Sequence, residues 1–169
     1  VALAGPVVAC AVVLPPDLHI PGVRDSKKLT AATRSAHCRT ILDRIPDGDV
    51  ALGAASVGEI DRLNILGATR LAIRRALGSL RTPWDRLVLD GLPMKGVPEH
   101  EAVVGGDDLI HSIACASVVA KVVRDDLMRR LALRYPPYGW ERNAGYGTAE
   151  HRSAVDEHGA TPHHRRTFL

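Results

Sequence analysis

Aromatic residues and long apolar runs are both scarce in this chain. Only 4% of its 169 residues are Phe, Trp or Tyr although 46% are hydrophobic, so we expect an aliphatic, alanine-rich core. No apolar run approaches the roughly 20 residues of a membrane span, and we expect no membrane partner. The apolar residues 1–14 lack a basic start and are followed by Pro15-Pro16, which suits a strand better than a signal peptide.

Cysteine is also rare. The three cysteines, Cys10, Cys38 and Cys115, are odd in number, scattered and set in apolar patterns. A disulfide framework or a zinc site is therefore not expected, and a reducing cytoplasm fits this usage. The absence of a P-loop and of a dinucleotide fingerprint argues against an NTPase or a dehydrogenase. Without repeats or linkers, residues 1–169 read as a single domain.

The positive charge of the chain is concentrated in its last third. Residues 121–166 contain nine Lys and Arg against six Asp and Glu, whereas the rest contains thirteen of each, so the net charge of +3 arises there. A basic footprint on one part of a domain is what binding to a phosphate backbone requires. A solvated helix face with a basic tail explains the same pattern.

Strand and helix patterns alternate along the chain, which indicates an α/β protein. The predicted strands cover residues 7–14, 50–55, 86–89 with Asp90 at the tip, and 101–104. Helices are predicted from the N-cap Thr30 to about Ile45, from the capping box at Ser56–Glu59 (with Asn64 as a second cap) to about Leu80, from Ser112 to about Arg134, and from Thr148 to His158 before Gly159.

Two carboxylates stand where apolar patterns bring them toward the interior. In the third helix, Ala114, Val118, Val122 and Asp125 share one face. An ionised carboxylate on an apolar stripe is costly unless a cation or a donor meets it. Asp90 ends the run Leu87-Val88-Leu89, at the strand tip where open α/β sheets place their ligand sites.

Each of these acids also has a purely structural explanation. Asp125 can pair with Lys121 or Arg129 at helical spacing, and Asp90 before a glycine can be a turn residue. For the neighbouring Asp126, which faces Arg130, we favour a salt bridge. The residues alone leave open whether Asp90 and Asp125 belong to a metal site.

Seven further segments, together with the two acids Asp90 and Asp125, give the chain a family resemblance. In their order along the sequence, they match motifs of ribonuclease HII, which the chain closely resembles from its first residues to its last. Beyond the two acids, the matching segments are Leu3-Ala4-Gly5-Pro6-Val7-Val8, Asp25-Ser26-Lys27-Lys28-Leu29, Glu59-Ile60-Asp61-Arg62-Leu63-Asn64-Ile65-Leu66, Ser112-Ile113-Ala114-Cys115-Ala116-Ser117, Tyr135-Pro136-Pro137-Tyr138-Gly139, Gly145-Tyr146-Gly147-Thr148 and His163-His164-Arg165-Arg166-Thr167-Phe168. The fourth of these lies in the helix that leads to Asp125.

The resemblance implies a fold and an activity. The fold is ribonuclease H-like, a mixed five-stranded sheet flanked by helices. The activity is that of an endoribonuclease that cuts the RNA strand of RNA–DNA hybrids and nicks duplex DNA 5′ to embedded ribonucleotides. Its partners are therefore RNA–DNA hybrids and ribonucleotide-containing duplex DNA, and its cofactor is Mg²⁺ or Mn²⁺ in a two-metal mechanism. We expect a cytoplasmic monomer.

The resemblance also assigns residues. Asp90 and Asp125 match catalytic acids that bind metal. Tyr146 matches a tyrosine that packs on the sugar at the junction of ribonucleotide and deoxyribonucleotide, with a loop-filling tyrosine as the alternative. Lys27 and Lys28 match a basic pair that faces backbone phosphates, with plain solvated lysines as the alternative.

One family motif is missing, and it contains the other two metal-site acids. Family members carry a D-E-A-G-R-G strand end directly before the counterpart of residues 3–8, and this sequence starts at Val1, after that place. Its strand is central in such sheets, and each buried backbone group left unpaired costs about 1–3 kcal/mol. We therefore expect an N-terminally truncated record of a longer protein. The alternative is a naturally decayed copy, a catalytically impaired remnant that binds hybrids without cleaving them.

Two other segments bear on substrate binding. Asn143-Ala144 stands where the family usually has His-Lys, which removes two side chains that could meet the substrate. The segment His163-His164-Arg165-Arg166 fits either a phosphate contact or a structural tail. Another ribonuclease H-like nuclease, such as a resolvase, is disfavoured by Gly145-Tyr146-Gly147-Thr148, which belongs to ribonucleotide readers.

Overall fold

Strands and helices alternate through most of the molecule. The structure, a computed structural model, describes residues 1–24 and 26–169; Asp25, which opens the predicted basic loop motif, lies outside the described residues. The described elements are β1 (Val7–Val12), α1 (Ala31–Arg44), β2 (Val50–Ala55), α2 (Val57–Gly78), β3 (Val88–Asp90), β4 (Glu101–Val103), α3 (Gly106–Leu109), α4 (His111–Ala132), α5 (Trp140–Asn143) and α6 (Ala149–His158).

The longer helices begin where their capping residues predict. Thr30 caps α1 by accepting a hydrogen bond from the Thr33 N–H at 3.1 Å. At the start of α2, the Ser56 N–H donates to the Glu59 carboxylate at 2.8 Å and the Glu59 N–H donates back to the Ser56 hydroxyl at 3.3 Å, which completes a capping box. The predicted α1, α2 and α4 are confirmed to within about two residues at each end.

The second predicted cap, Asn64, is confirmed: it lies at a kink within α2 and caps the helical segment that follows it. Its backbone has φ 58° and ψ 175°, outside the helical region, and its side-chain oxygen accepts hydrogen bonds from the N–H groups of Leu66 (2.9 Å) and Gly67 (3.1 Å). These bonds satisfy donors that the break leaves without helical partners. The cap therefore restarts the helix immediately after the kink.

The described strands form two pairs. β1 pairs with β2, and β3 runs parallel to β4 with Asp90 opposite Val103. The predicted positions of all four strands are confirmed, but β1 and β3 are half-buried rather than buried. β3 and β4 are also short, because Gly91 (φ 102°) and Gly105 (φ 71°) turn the chain soon after each strand ends.

Two compact units make up the chain, each from several segments. The first unit contains Val1–Val7, Ala55–Thr69 and Val123–Leu169, and the second contains Val8–Ala54 and Arg70–Val122. Both strand pairs lie essentially in the second unit, where α2 approaches β2 so closely that a side chain on Gly53 would collide with the Ala72 carbonyl. No helix within the described ranges is both long and apolar enough to span a bilayer.

An aromatic core holds the first unit together. Met128 from α4 and the fully buried Trp140 from α5 pack with Tyr138, and the ring centroids of Tyr138 and Trp140 lie 5.3 Å apart. Ala4 and Ala154 complete this cluster. The scarce aromatic residues are thus concentrated in one unit, which the sequence composition does not reveal.

Candidate functional site

Asp90 is the last residue of β3, and its side chain is held from one side. The Gly106 N–H donates to its Oδ1 at 2.9 Å, and Asp90 itself is exposed. Gly106 sits close: a Cβ at that position would lie 2.7 Å from Cδ1 of Ile113 and 3.5 Å from Oδ1 of Asp90. The turn after β4 therefore fixes the orientation of the carboxylate while leaving the residue open to solvent.

The predicted basic pair lies on a short 3-10 turn, Ser26–Lys28, in the same unit. The turn is anchored from beneath, because the Ser26 hydroxyl lies 2.8 Å from the Ser117 hydroxyl on α4. Lys27 and Lys28 are exposed, and the Lys28 ammonium forms an ion pair with the Asp108 carboxylate. An exposed pair of this kind contributes about 0–1 kcal/mol and is readily exchanged for another anion.

Asp125 lies on α4 in the first unit and is half-buried. The prediction that Asp126 pairs with Arg130 is wrong: its carboxylate meets the Arg129 guanidinium at 2.7 Å. Residues three apart are neighbours on a helix as much as residues four apart, and sequence spacing does not choose between them.

Arg124, the residue before Asp125, is the most heavily bonded side chain of this region. Its Nε donates to the Pro6 carbonyl at 3.1 Å, Nη1 to the Ala144 carbonyl at 2.9 Å, and Nη2 to the Ala4 carbonyl at 3.1 Å. Burial lowers the pKa of Arg124 below its ordinary value, while the nearby Tyr146 and Asp125 act in the opposite direction. Arg124 stays cationic at neutral pH.

Tyr146 projects from a loop whose backbone is fixed on several sides. Gly145 accepts backbone hydrogen bonds from Leu3 and Ala4 (2.8 and 3.2 Å), and the Tyr146 N–H donates to the Asn143 carbonyl at 2.9 Å. Tyr146 is 47% exposed as a residue, and the Arg124 guanidinium lies 5.6 Å from the centroid of its ring. An aromatic ring that is rigidly mounted and partly open to solvent suits stacking.

Asn143, which replaces a usual family residue, serves this loop. It is buried, its side-chain amide donates to the Tyr138 carbonyl at 2.8 Å, and its side-chain oxygen accepts from the Gly145 N–H at 2.8 Å. Ala144 takes a left-handed conformation with φ 48°. The substitution thus supplies internal hydrogen bonds to the turn before Tyr146.

A pair of buried histidines supports the same loop from the other side. The Trp140 indole N–H donates to Nε2 of His151 at 3.0 Å, so the His151 proton lies on Nδ1, which donates to the Tyr146 carbonyl at 2.9 Å. The Thr161 N–H donates to Nδ1 of His164 at 2.9 Å, so the proton of His164 lies on Nε2, 3.0 Å from Nε2 of His151. Both rings are therefore neutral.

The environment of the histidines holds them in that state. Burial, with the neighbouring His151, lowers the pKa of His164 to about 4. Burial also lowers the pKa of His151, against an opposing hydrogen bond to the Tyr146 carbonyl. A proton added to either ring would have to displace a donor that already occupies the acceptor nitrogen.

The segment after His163 is structural at two of its positions. Besides the buried His164, the buried Arg165 donates from Nε to the Gly5 carbonyl at 2.9 Å, and burial lowers the pKa of its guanidinium to about 10. Asp61 on α2 accepts from the Thr167 N–H (3.1 Å) and hydroxyl (2.9 Å). Slight burial opposes them, but these bonds hold the pKa of Asp61 below its usual value.

The resemblance implies a metal site, and it assigns two carboxylates of this chain to that site. Asp90 and Asp125 are oxygen donors of the kind that Mg²⁺ and Mn²⁺ prefer, so the donor type fits. Within residues 1–24 and 26–169, no group of three or more His, Cys, Asp or Glu side chains could hold a metal ion.

Sequence reasoning proposed Asp90, Asp125 and Tyr146 as site residues but did not predict the groups that contact Asp90 and Tyr146. The sequence could have indicated that Arg124 is hydrogen-bonded, because a second charged residue in an apolar helical pattern needs partners as much as Asp125 does. Gly106 and His151 carried no such signal, and His164 carried only its place in a matched motif. Their hydrogen-bond partners lie between 3 and 16 residues away, in separate elements or turns, and periodicity does not identify them.

Comparison with known proteins gives a consistent result. The family model for ribonuclease HII matches residues 2–169. The chain is 55% identical to ribonuclease HII of Thermosynechococcus vestitus over 170 residues, which covers 99% of this chain and 78% of the relative. It is 54% identical to ribonuclease HII of Rhodospirillum rubrum, with 98% and 78% covered.

Solved structures show the same fold at low sequence identity. The chain matches ribonuclease H2 of Pyrococcus horikoshii with a TM-score of 0.78 and 23% identity, covering 98% of this chain and 88% of the other. It matches ribonuclease HII of Archaeoglobus fulgidus, solved in complex with PCNA, with a TM-score of 0.79 and 19% identity, covering 99% and 90%. These matches confirm the predicted ribonuclease H-like α/β fold.

Proposed function

Because the chain belongs to the ribonuclease HII family, whose members are ribonuclease H-type endonucleases, we propose that it cleaves RNA–DNA hybrids and nicks duplex DNA 5′ to embedded ribonucleotides. The observation that carries this proposal is the Tyr146 ring, held over Arg124 on a fixed loop and 47% exposed. A stacking surface at that position suits a nucleotide sugar or base, because aromatic faces accept any nucleotide. The ribose 2′-hydroxyl then separates RNA from DNA.

Asp90 and Asp125 are the residues that we expect to hold Mg²⁺ or Mn²⁺. Such ions, when bound in pairs, supply an activated water and stabilise negative charge on the phosphate. The contribution of this chain that its contacts support is to orient the Asp90 carboxylate. The Gly106 N–H occupies Oδ1 of Asp90, so one oxygen is oriented by the fold before any ligand arrives.

Lys27 and Lys28 fit contacts with the nucleic-acid backbone. Both are exposed on a turn anchored through Ser26, and the Asp108 partner of Lys28 can be exchanged for a phosphate at little cost. Such contacts make affinity fall with salt and carry no base information. The substrate class is therefore set by the sugar at Tyr146 rather than by sequence.

We further place the enzyme in the cytoplasm as a monomer. The three cysteines are thiols rather than disulfides, and burial raises the pKa of Cys10 to about 12 and that of Cys115 to about 11. Buried, protonated thiols are compatible with a reducing compartment.

The proposal is tested with a DNA duplex that carries one ribonucleotide and a 5′ label on that strand. With Mg²⁺ or Mn²⁺ we expect a single nick on the 5′ side of the ribonucleotide, with a 3′-hydroxyl on the upstream product. The same strand should stay intact in EDTA, and an all-DNA duplex should stay intact throughout. Binding to hybrids without nicking under either metal would instead identify a hybrid-binding protein that does not cleave.

Gly106→Ala is expected to lower the cleavage rate clearly and the stability of the fold only slightly. The added methyl meets the flexible end of Ile113 and lies beside Asp90, so we expect a stability loss of about 1 kcal/mol and a loss of cleavage rate of about tenfold. The rate is measured on the single-ribonucleotide duplex and stability by thermal unfolding. Gly78→Ala, where a Cβ meets nothing within 4 Å, is the matched control. A normal rate in Gly106→Ala would contradict a role for this turn in orienting Asp90.

A further inference from the structure

Arg124 joins two parts of the first unit that are distant in sequence. Its guanidinium donates to the carbonyls of Ala4 and Pro6 on one segment and to the carbonyl of Ala144 on the other. Each bond uses a different nitrogen, so the planar group is fixed in position and orientation. A lysine has one nitrogen at the end of a flexible stem and cannot reproduce this fork.

The same guanidinium lies at the ring of Tyr146. Its central carbon is 5.6 Å from the ring centroid, within the range over which a cation is attracted to an aromatic face. The Ala144 carbonyl that Nη1 binds lies two residues before Tyr146 in the chain. Arg124 thus acts on Tyr146 both through the ring and through the backbone that leads to it.

We infer that Arg124 is a positioning residue that presents the Tyr146 ring to the substrate and thereby sets the preference for a ribonucleotide–deoxyribonucleotide junction. This inference rests on the proposed function and deepens it. Without Arg124 the exposed ring would sample several rotamers, and binding would have to select one of them. A ring that is already ordered spares that entropy when the sugar packs on it.

Arg124 could instead serve only to stabilise the fold, and the two roles have different signatures. A purely structural residue lowers stability and affects every substrate alike. The same holds for an indirect effect through Asp125, the next residue, because a disturbed carboxylate slows cleavage of any substrate. A residue that positions Tyr146 changes the ratio between substrates with and without a junction.

The experiment measures binding in Ca²⁺, used in place of Mg²⁺, to a single-ribonucleotide duplex and to a uniform RNA–DNA hybrid of the same sequence. The variants are Arg124→Lys, Arg124→Gln, Tyr146→Ala and the double variant Arg124→Gln/Tyr146→Ala. Arg129→Gln is the control, since it removes one charge from the same helix at an exposed ion pair with Asp126. Thermal unfolding is recorded for each.

The expected result is a fall in junction preference of about tenfold in both Arg124 variants, the size expected for a weakened aromatic contact. The double variant should lose no more preference than Tyr146→Ala, and Arg129→Gln should keep the preference of the parent chain. Preserved preference in Arg124→Gln, whatever its melting temperature, would overturn the inference. So would additive losses in the double variant, or an absence of preference in the parent chain.

A failure of the proposed function is seen separately. It is the absence of nicking by the parent chain in Mg²⁺ and Mn²⁺, an assay that does not involve Arg124 variants. Binding preference is measurable whether or not the chain turns over, so a failure of the inference is distinguished from a failure of the proposed function.

Discussion

Asp90→Asn is expected to abolish cleavage of an RNA–DNA hybrid while leaving its binding nearly unchanged. The amide keeps an oxygen that can accept the Gly106 N–H, so the strand tip should retain its shape. The amide lacks the negative charge of the carboxylate, which a bound divalent cation requires. Because metal ions supply several kcal/mol of transition-state stabilisation, we expect the rate to fall by about 10³-fold or more.

The two effects are separated by measuring single-turnover cleavage in Mg²⁺ and hybrid affinity in its absence. Removing a negative charge should not weaken binding to a polyanion, so affinity should stay within about threefold. Asp126→Asn is the control, since that carboxylate forms an exposed ion pair with Arg129 worth about 0–1 kcal/mol. Undiminished cleavage in Asp90→Asn would remove Asp90 from the metal site.

Acidification is expected to destabilise the first unit through His164 and His151. An unfolded histidine titrates near 6.5, whereas burial and His151 lower the pKa of His164 to about 4 in the folded chain. The folded state therefore binds fewer protons between these values. The stability associated with the neutral, buried His164 is complete above pH 6.5. It is lost as the pH falls toward 4, and the free energy of unfolding decreases by an amount on the order of 2–3 kcal/mol.

Thermal unfolding between pH 7.5 and 4.5 measures this effect. The charged groups near the pair are Arg152, Glu150 and His163, of which Arg152 and His163 oppose protonation and Glu150 favours it. His164→Gln should lower the melting temperature at pH 7.5 and flatten its dependence on pH. His158→Gln, at the exposed end of α6, should leave both unchanged. Parallel profiles for His164→Gln and the parent chain would show that other groups cause the acid sensitivity.

Local patterns predicted the helices well because their causes are local. Thr30, Ser56 and Thr148 each bond to a backbone N–H three residues away, so four residues of sequence contain the whole interaction. The four-residue helices α3 and α5 were missed since they are too short to show a period.

The sequence indicated candidate site residues, whereas the contacts around them could not be predicted from it. Asp90 was visible at the end of an apolar run, and Tyr146 lay within a matched motif. The bonds of Arg124 to Ala4 and of His151 to His164 cross between segments whose pairing no periodicity encodes. The sequence also does not determine which of two neighbouring side chains forms an ion pair, as the pairing of Asp126 with Arg129 instead of Arg130 shows.

The pairing of residues 3–5 with residues 145–165 has a consequence for the order of folding. The Leu3 N–H reaches the Gly145 carbonyl, and the Arg165 N–H reaches the Leu3 carbonyl, across more than 140 residues of chain. Closing such a loop costs on the order of 4 kcal/mol of chain entropy before any contact repays it. The helix caps can form early because their contacts are local, whereas we expect the Tyr146 loop, which needs these long-range bonds, to form late. If Tyr146 packs on the substrate as proposed, we expect this contact to become available only when folding is complete.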